Sequence, residues 1–74
     1  MKANVKGARG IELNCNYLKS VDGQFAYFYV PNEAISASLL NAVSTRGAIA
    51  SVNKQADGKS WQVQTRVEFI EWED

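Results

Sequence analysis

The chain has 74 residues, 46% of them hydrophobic and 22% charged, and its eight cationic and eight acidic side chains give a net charge of zero. A chain of this length forms one domain that buries only about 60% of its unfolded surface, so we expect a small core. No apolar run approaches the roughly 20 residues that a membrane-spanning helix needs, so we expect no membrane partner.

Cysteine usage bears on the cellular compartment. Cys15 is the single cysteine of the chain, so it cannot form an internal disulfide, and this favours a reducing environment. The N-terminal segment is basic, but no apolar stretch follows it, which argues against a secretory signal. We therefore expect a cytoplasmic protein, located in the host cytoplasm if a phage encodes it.

The residue types that most catalytic sites need are missing or scattered. The chain has no histidine, which excludes Ser-His and Cys-His nucleophile pairs and the commonest metal ligand. Cys15 falls on the apolar side of its predicted strand, where a buried structural thiol is expected. Glu12 and Asp22 lie at opposite ends of the first predicted hairpin and do not pair. We expect no enzyme activity, no metal ion and no cofactor, and therefore a binding protein.

Charge is distributed unevenly along the chain. Residues 1–66 carry eight cations and four acids, a net charge of +4, whereas the last eight residues carry four acids and no cation. We expect residues 1–9 to form a flexible basic arm and residues 10–74 to form a single globular domain with a short acidic C-terminal tail. The tail is either an ordinary solvated end or a segment that competes with polyanions for a cationic surface.

Asp22-Gly23 predicts the tight turn of a first β-hairpin, because both centres of a type I′ turn need positive φ. Counting outward from that turn sets a register. The predicted pairs are Ser20–Phe25, Leu18–Tyr27, Tyr17–Phe28, Asn16–Tyr29 and Cys15–Val30. One face of the hairpin is then apolar and predicts core, with Ile11, Leu13 and Ala26 beside the Tyr17–Phe28 and Cys15–Val30 pairs.

The opposite face of this hairpin carries an aromatic stripe, Phe25, Tyr27 and Tyr29, with period two. Its predicted neighbours on the paired strand are Glu12, Asn14, Asn16 and Leu18. Because buried amides need hydrogen-bond partners, a second core rarely has such neighbours. Three interpretations remain open: a surface left bare for a ligand, a second core beneath a helix, and an interface with an identical chain in a homodimer.

Asp57-Gly58 predicts the turn of a second hairpin by the same argument. The register gives one core face, with the pairs Ala48–Val67, Ala50–Thr65, Val52–Val63 and Lys54–Trp61. It gives one polar face, with the pairs Ile49–Arg66, Ser51–Gln64, Asn53–Gln62 and Gln55–Ser60. The alternation breaks at Phe69-Ile70, where the strand either bulges or is buried on both sides.

Between the hairpins, the segment PNEAISASLLNAVSTRG predicts one amphipathic helix of about three turns. Pro31 ends the preceding strand, and Asn32 is the expected N-cap. Gly47 is placed for a C-cap just after Arg46. The apolar stripe consists of Ile35, Leu39, Ala42 and Val43. The predicted fold class is α+β, mainly β: a small antiparallel sheet with one helix in the order β-β-α-β-β, as an OB-like barrel or an open sheet.

These elements favour binding of single-stranded nucleic acid, in which bases stack on aromatic rings for roughly 1–3 kcal/mol each while cations meet the phosphates. The candidate rings are Phe25, Tyr27, Tyr29 and Trp61. The candidate phosphate contacts are Arg9, Lys19, Lys54, Lys59 and Arg66.

The layout of residues 24–72 resembles the later part of OB-fold single-stranded-DNA-binding proteins. In order, the matching segments are FAYFYV, NEAISASLLNAVSTRG, AIASV, NKQADGKS and WQVQTRVEFIEW. The resemblance is one of pattern and implies an OB-type barrel. It also implies that Tyr27, Tyr29 and Trp61 stack bases.

A second function of a different class also fits the sequence. Compact proteins of phages and mobile elements bind and inhibit host or defence proteins, as anti-CRISPR-like inhibitors or adaptors do. The aromatic hairpin would supply a hot-spot patch. The acidic tail, with Glu71, Trp72, Glu73 and Asp74, would anchor in a cationic pocket or imitate nucleic acid. A subunit that only self-assembles is the third alternative.

Overall fold

The computed structural model describes residues 2–5, 11–43 and 47–73. These residues form seven strands, one short α-helix and three 3₁₀ turns. The strands are β1 (Lys2–Val5), β2 (Glu12–Asn14), β3 (Leu18–Asp22), β4 (Phe25–Pro31), β5 (Ile49–Lys54), β6 (Ser60–Arg66) and β7 (Ile70–Glu73). The helix is α1 (Ala37–Asn41), and the 3₁₀ turns are Cys15–Tyr17, Asn32–Ala34 and Val67–Phe69.

The strands form two antiparallel sheets. The larger has four strands in the order β3-β4-β6-β5, and the smaller has three in the order β2-β1-β7. Within the described residues, the larger sheet is open and does not close into a barrel. The expected order β-β-α-β-β holds for the four strands and the helix of this larger part. The three-stranded sheet was not expected, because residues 2–5 were assigned to a flexible arm and instead form β1.

Two 3₁₀ turns carry the chain from one sheet to the other. Cys15–Tyr17 joins β2 to β3, and Val67–Phe69 joins β6 to β7. The Asn14 side chain stabilises the first turn by accepting a hydrogen bond of 2.8 Å from the backbone N–H of Asn16. The second turn explains the break in alternation at Phe69-Ile70, since Ile70 starts a strand in the other sheet and is buried there.

The first predicted strand is therefore interrupted. Cys15 and Asn16 lie in a 3₁₀ turn, so the predicted pairs Cys15–Val30 and Asn16–Tyr29 are wrong. Glu12 and Asn14 belong to the three-stranded sheet and do not flank the aromatic stripe. The physical reason is that three tight residues redirect the chain, which period-two counting cannot detect.

The first hairpin is shifted by two residues from the predicted register. Asp22 pairs with Phe25 and Ser20 pairs with Tyr27, so the loop is Gly23-Gln24. Neither Asp22 nor Gly23 has a positive φ, so the predicted type I′ turn is wrong. The Asp22 carboxylate accepts from the backbone N–H of Phe25 at 3.2 Å, and this contact fixes the turn at a different position. A shift of two leaves the rings on the predicted face.

A bulge changes the face of Leu18. The register shifts between Leu18 and Ser20, and Leu18 lies opposite Phe28. It packs against the core, so the predicted Leu18–Tyr27 pair is wrong. An extra residue in one strand reverses the alternation on either side of it.

The second hairpin keeps the predicted register over its outer half. The pairs Ser51–Gln64, Val52–Val63, Asn53–Gln62 and Lys54–Trp61 are confirmed. The loop is longer than predicted, because the reversal rests on a 3.0 Å hydrogen bond from the Gly58 N–H to the Gln55 carbonyl. Gly58 has a φ of +71°, a value that glycine adopts without strain.

A second bulge displaces the inner half of this hairpin. The register shifts between Ile49 and Ser51, and Ile49 lies opposite Thr65. Ile49 is fully buried, so its predicted place opposite Arg66 on the polar face is wrong, and so is the Ala50–Thr65 pair. Burial of a branched aliphatic side chain explains why the chain accommodates the bulge here.

The helix is much shorter than predicted. Ser36 is its N-cap, and its hydroxyl accepts from the Leu39 N–H at 3.1 Å. Asn32, the predicted cap, begins a 3₁₀ turn instead. Leu39 is buried, whereas Val43 is 46% exposed, so the predicted apolar stripe is only partly used. Arg46 lies outside the described residues. In the described ranges, no helix is both long and apolar enough to cross a bilayer.

The core lies between the two sheets and α1. Leu13 and Ile70 come from the smaller sheet, Phe28 and Val63 from the larger one, and Leu39 from the helix. The full cluster consists of Ile11, Leu13, Ala26, Phe28, Val30, Leu39, Ala48, Ile49, Val63 and Ile70. One face of the four-stranded sheet is thus used for packing, which leaves its opposite face for other contacts.

Candidate functional site

The face of the four-stranded sheet that points away from the core carries the aromatic stripe. Along β4, burial alternates: Ala26, Phe28 and Val30 are buried, whereas the three rings between and before them are half-buried. We call this surface the aromatic face. Its paired positions are Ser20, Asp22, Phe25, Tyr27, Tyr29, Ser51, Asn53, Gln62, Gln64 and Arg66. All of them are half-buried or exposed.

The pairing of β4 with β6 sets the composition of this face. Phe25 lies opposite Arg66, and the two tyrosines lie opposite glutamines, Tyr27 opposite Gln64 and Tyr29 opposite Gln62. Directly paired residues have Cβ atoms about 4.5–5.5 Å apart, close enough for their side chains to interact. On the β6 side, each ring therefore has one polar or cationic partner beside it.

The rings are arranged side by side along the strand. The centroids of Phe25 and Tyr27 are 6.5 Å apart, and their planes are inclined by 47°. This tilted geometry is one that aromatic pairs favour over a face-to-face sandwich. The rings are consequently not stacked on one another.

Hydrogen bonds hold both tyrosine hydroxyls. The Tyr27 hydroxyl donates to the Asp22 carboxylate at 3.1 Å. The Gln62 amide donates to the Tyr29 hydroxyl, also at 3.1 Å. Anchoring the ends of both side chains reduces the rotamer freedom that a ligand would otherwise have to freeze.

The Tyr27 hydroxyl stays protonated at physiological pH. Loss of solvation raises the pKa of Tyr27 above its usual value, and the hydrogen bond to Asp22 and the negative charge of Asp22 raise that pKa further. The neutral form is favoured because a phenolate beside a carboxylate would place two like charges together. The ring therefore offers an uncharged surface.

Arg66 supplies positive charge at one end of the stripe. Its guanidinium carbon lies 5.6 Å from the Phe25 ring centroid, and its Nε donates to the Gly47 carbonyl at 2.9 Å. Among the paired positions of the aromatic face, it is the one cation that the structure describes. A cavity of about 420 Å³ adjoins it, and its other lining residues are Gly23, Gln24, Val67 and Glu68.

Trp61 does not join the aromatic face. It pairs with Val30 and Lys54, which places it on the core-facing side of the sheet, near the tip of the second hairpin. Its indole N–H donates to the Asn32 side chain at 2.8 Å, and the Lys54 ammonium lies 5.9 Å from its ring. The structure therefore separates Trp61 and Lys54 from the two tyrosines with which they were grouped.

The remaining candidate residues lie elsewhere. Lys19 is exposed at the bulge of edge strand β3, and Lys59 is exposed in the loop of the second hairpin. Glu71, Trp72 and Glu73 belong to β7, which pairs with β1, so this part of the predicted tail is a strand. Arg9 and Asp74 fall outside the described residues.

Sequence reasoning missed that the polar face of the second hairpin continues the aromatic stripe. Gln62, Gln64, Ser51 and Asn53 were assigned to a polar face, but nothing placed that face beside Tyr27 and Tyr29. The link is the pairing of β4 with β6, two strands separated by the helix. A turn motif identifies only strands that are consecutive in the chain.

Other parts of the described chain offer less to a ligand. A cavity of about 230 Å³ lies on the core side of the sheet and is lined in part by Leu13, Tyr17, Val30 and Leu39. The described residues contain no group of three or more cysteine, aspartate or glutamate side chains that could hold a metal ion. The aromatic face, by contrast, combines three rings, several amides and a cation on one surface.

Comparisons with known proteins add no family to this description. No protein-family model matches the chain, and neither the curated proteins nor the solved structures that were searched contain a match.

Proposed function

We propose that this protein binds single-stranded nucleic acid on the aromatic face, without catalysing a reaction. The observation that carries the proposal is the alternation along β4, which places Phe25, Tyr27 and Tyr29 together on the side of the sheet away from the core. Flat aromatic surfaces of this kind stack unpaired bases for roughly 1–3 kcal/mol each.

The polar residues of the face support the same ligand. Gln62, Gln64, Ser51 and Asn53 lie beside the rings. Their amides and hydroxyls offer both donors and acceptors, the groups that unpaired base edges and sugars recognise. Duplexes are disfavoured, because their bases are already paired and stacked and cannot reach the rings.

Charge makes a smaller contribution than in most nucleic-acid-binding proteins. The net charge is zero, and Arg66 is the cation that the described strands place on this face. Because each phosphate contact steepens the dependence of affinity on salt, binding here depends mainly on stacking and should vary little with salt.

The test is an oligothymidylate titration at low salt, with the wild type compared with the double variant Tyr27→Leu/Tyr29→Leu. We expect the double variant to lose binding by roughly 2–6 kcal/mol, the sum of two stacking contacts. The matched control is Trp72→Leu, which removes an aromatic side chain that is 43% exposed but lies in β7. Absence of wild-type binding at low salt, or equal losses in the two variants, would reject the proposal.

A second candidate function is binding and inhibition of a host or defence protein. The observation that favours it is β7, an edge strand on which Trp72 is 43% exposed between Glu71 and Glu73. A large exposed aromatic residue flanked by acids suits a cationic pocket on a protein partner. Purified protein would be used to capture partners from nuclease-treated host lysate, with Trp72→Ala as the comparison. A single partner that the wild type retains and the variant loses would favour this function over nucleic-acid binding.

A further inference from the structure

The aromatic face contains three repeated units. Each unit is a ring on β4 with its directly paired residue on β6: Phe25 with Arg66, Tyr27 with Gln64, and Tyr29 with Gln62. Side chains on one face of a strand recur every two residues, roughly 6.6–6.8 Å apart, and the ring centroids of Phe25 and Tyr27 are 6.5 Å apart. The distance between neighbouring rings is therefore set by the two-residue repeat of the strand.

This spacing constrains the conformation of a bound strand. Bases in a stacked strand are separated by roughly 3.4 Å, about half the distance between neighbouring rings. A stacked strand would therefore bring only every second base to a ring and leave the bases between them without one. A strand that is extended, with its bases unstacked from one another, places one base on each ring.

Building on the proposed function, we infer that the aromatic face holds an extended segment of three nucleotides, one base per ring, with its sugar–phosphate backbone along β6. The length of the bound segment, its extended conformation and the side on which its backbone lies do not follow from stacking alone.

The charges on either side of β4 determine which side the phosphates take. On the β3 side, the Asp22 carboxylate lies against the Tyr27 hydroxyl and would repel a phosphate. On the β6 side lie the uncharged amides of Gln62 and Gln64 and the cationic Arg66. At the paired positions of the aromatic face, a polyanion is therefore favoured on the β6 side over the β3 side.

The ends of the face limit the segment to three nucleotides. The next position of β4 with the same orientation is Pro31, which has no aromatic ring and ends the strand. At the opposite end, the cavity beside Arg66 is also lined by Glu68, whose carboxylate opposes a further phosphate. A longer oligonucleotide therefore finds no fourth equivalent unit on this strand.

The test is a series of oligothymidylates of one to six nucleotides, titrated into isotopically labelled protein and followed by backbone amide chemical shifts. We expect affinity to rise roughly 5- to 160-fold with each nucleotide up to three, as stacking energies imply. Beyond three, only a statistical gain should remain, about twofold at four nucleotides and about fourfold at six, since the number of three-nucleotide registers on the strand rises from one to two and then to four.

The position of the backbone is tested by salt titration with the trinucleotide. One phosphate contact at Arg66 predicts a slope of about −0.7 in log affinity against log salt. Arg66→Gln should reduce that slope towards zero, and Arg66→Lys should retain it and control for folding. Lys54→Gln, on the opposite side of the sheet, should leave it unchanged.

The outcomes separate this inference from the proposed function. Absence of binding at every length defeats both. Affinity that continues to climb steeply through four, five and six nucleotides overturns the three-nucleotide site but leaves single-strand binding intact. If Lys54→Gln reduces the slope of log affinity against log salt and Arg66→Gln does not, the phosphates lie near the tip of the second hairpin. That result would overturn the path along β6.

Discussion

The two faces of the four-stranded sheet are built from the same strands but have different chemistry. On β4, Ala26 and Phe28 are completely buried, and Val30 is 2% exposed. On the other side of the same strand, Tyr27 and Tyr29 are half-buried and hydrogen-bonded through their hydroxyls. A domain with little core thus packs one side of β4 completely and leaves aromatic and polar groups on the other side, where we propose that a ligand binds.

The largest expected effect concerns the core face. Phe28→Ala should lower the free energy of unfolding by about 3–5 kcal/mol, because it leaves a cavity in a site with no exposed surface. Phe25→Ala removes the same atoms from the aromatic face and should cost only about 1–2 kcal/mol. Urea denaturation measures both.

Since a small domain has a total stability of only about 5–15 kcal/mol, Phe28→Ala is liable to be unfolded. Phe28→Leu is the milder variant that keeps the comparison measurable. Equal losses of unfolding free energy at positions 25 and 28 would show that the two faces are equally buried, which would contradict the difference described above.

The next effect separates the two groups of aromatic residues. Tyr29→Leu should weaken oligonucleotide binding by roughly 1–3 kcal/mol, because one stacking surface is lost. Trp61→Leu should leave binding unchanged, since Trp61 lies on the other side of the sheet. Calorimetric titration with one oligonucleotide compares the two variants directly. If Trp61→Leu loses more binding affinity than Tyr29→Leu, the ligand binds near the tip of the second hairpin and not on the aromatic face.

A smaller effect is expected at a polar residue within the core. Thr65 is completely buried, and its hydroxyl has no hydrogen-bond partner among the described residues. Thr65→Val replaces the hydroxyl by a methyl group of similar size and should raise stability by about 1 kcal/mol. The midpoint of urea unfolding is the measurement, and Thr65→Ser is the control that retains the hydroxyl. A lower midpoint for Thr65→Val would show that the hydroxyl is bonded.

The smallest effect is a dependence of stability on alkaline pH. The fold raises the pKa of Tyr27 above 10.0, so the folded protein holds this proton more tightly than the unfolded chain does. The resulting stabilisation is fully present below pH 10.0 and is lost as pH rises from there through the higher pKa of the folded state. Thermal unfolding between about pH 8 and 11 should show a steeper decline for the wild type than for Tyr27→Phe.

Asp22→Asn tests how much the Asp22 charge contributes to this pH dependence, because it removes the negative charge but keeps a hydrogen-bond acceptor. It should reduce the alkaline decline without abolishing it, since loss of solvation is the first cause of the shift. If the stability of Tyr27→Phe declines with alkaline pH as steeply as that of the wild type, other groups are responsible for the decline.

Alternation within single strands was predictable from the sequence, and so was the outer register of the second hairpin. Phe25, Tyr27 and Tyr29 share a face as expected, because side-chain period two is a local property. Lys54–Trp61 and Asn53–Gln62 pair as expected, because a reversal between Gln55 and Gly58 brings their strands together. Local chemistry was sufficient for these features.

Long-range pairing and short irregular segments were not predictable from the sequence. The β4–β6 pair and the β1–β7 pair join segments that are distant in sequence, and no turn motif predicts these pairs. The bulges at the Leu18–Ser20 and Ile49–Ser51 steps reverse the alternation without a glycine or proline to mark them. The helix begins later than predicted because Ser36, not Asn32, is its N-cap, and Asn32 begins a 3₁₀ turn instead.

The pairing of β1 with β7 has a consequence for the order of folding. The Asn4 side chain donates to the Glu73 carboxylate across 69 positions of the chain, and the two strands are neighbours in the smaller sheet. Contacts between such distant segments are slow to form, because the intervening chain must first lose its freedom. We therefore expect the two hairpins to assemble first and the three-stranded sheet to be completed last, with its amides exchanging hydrogen for deuterium sooner than those of β4 and β6.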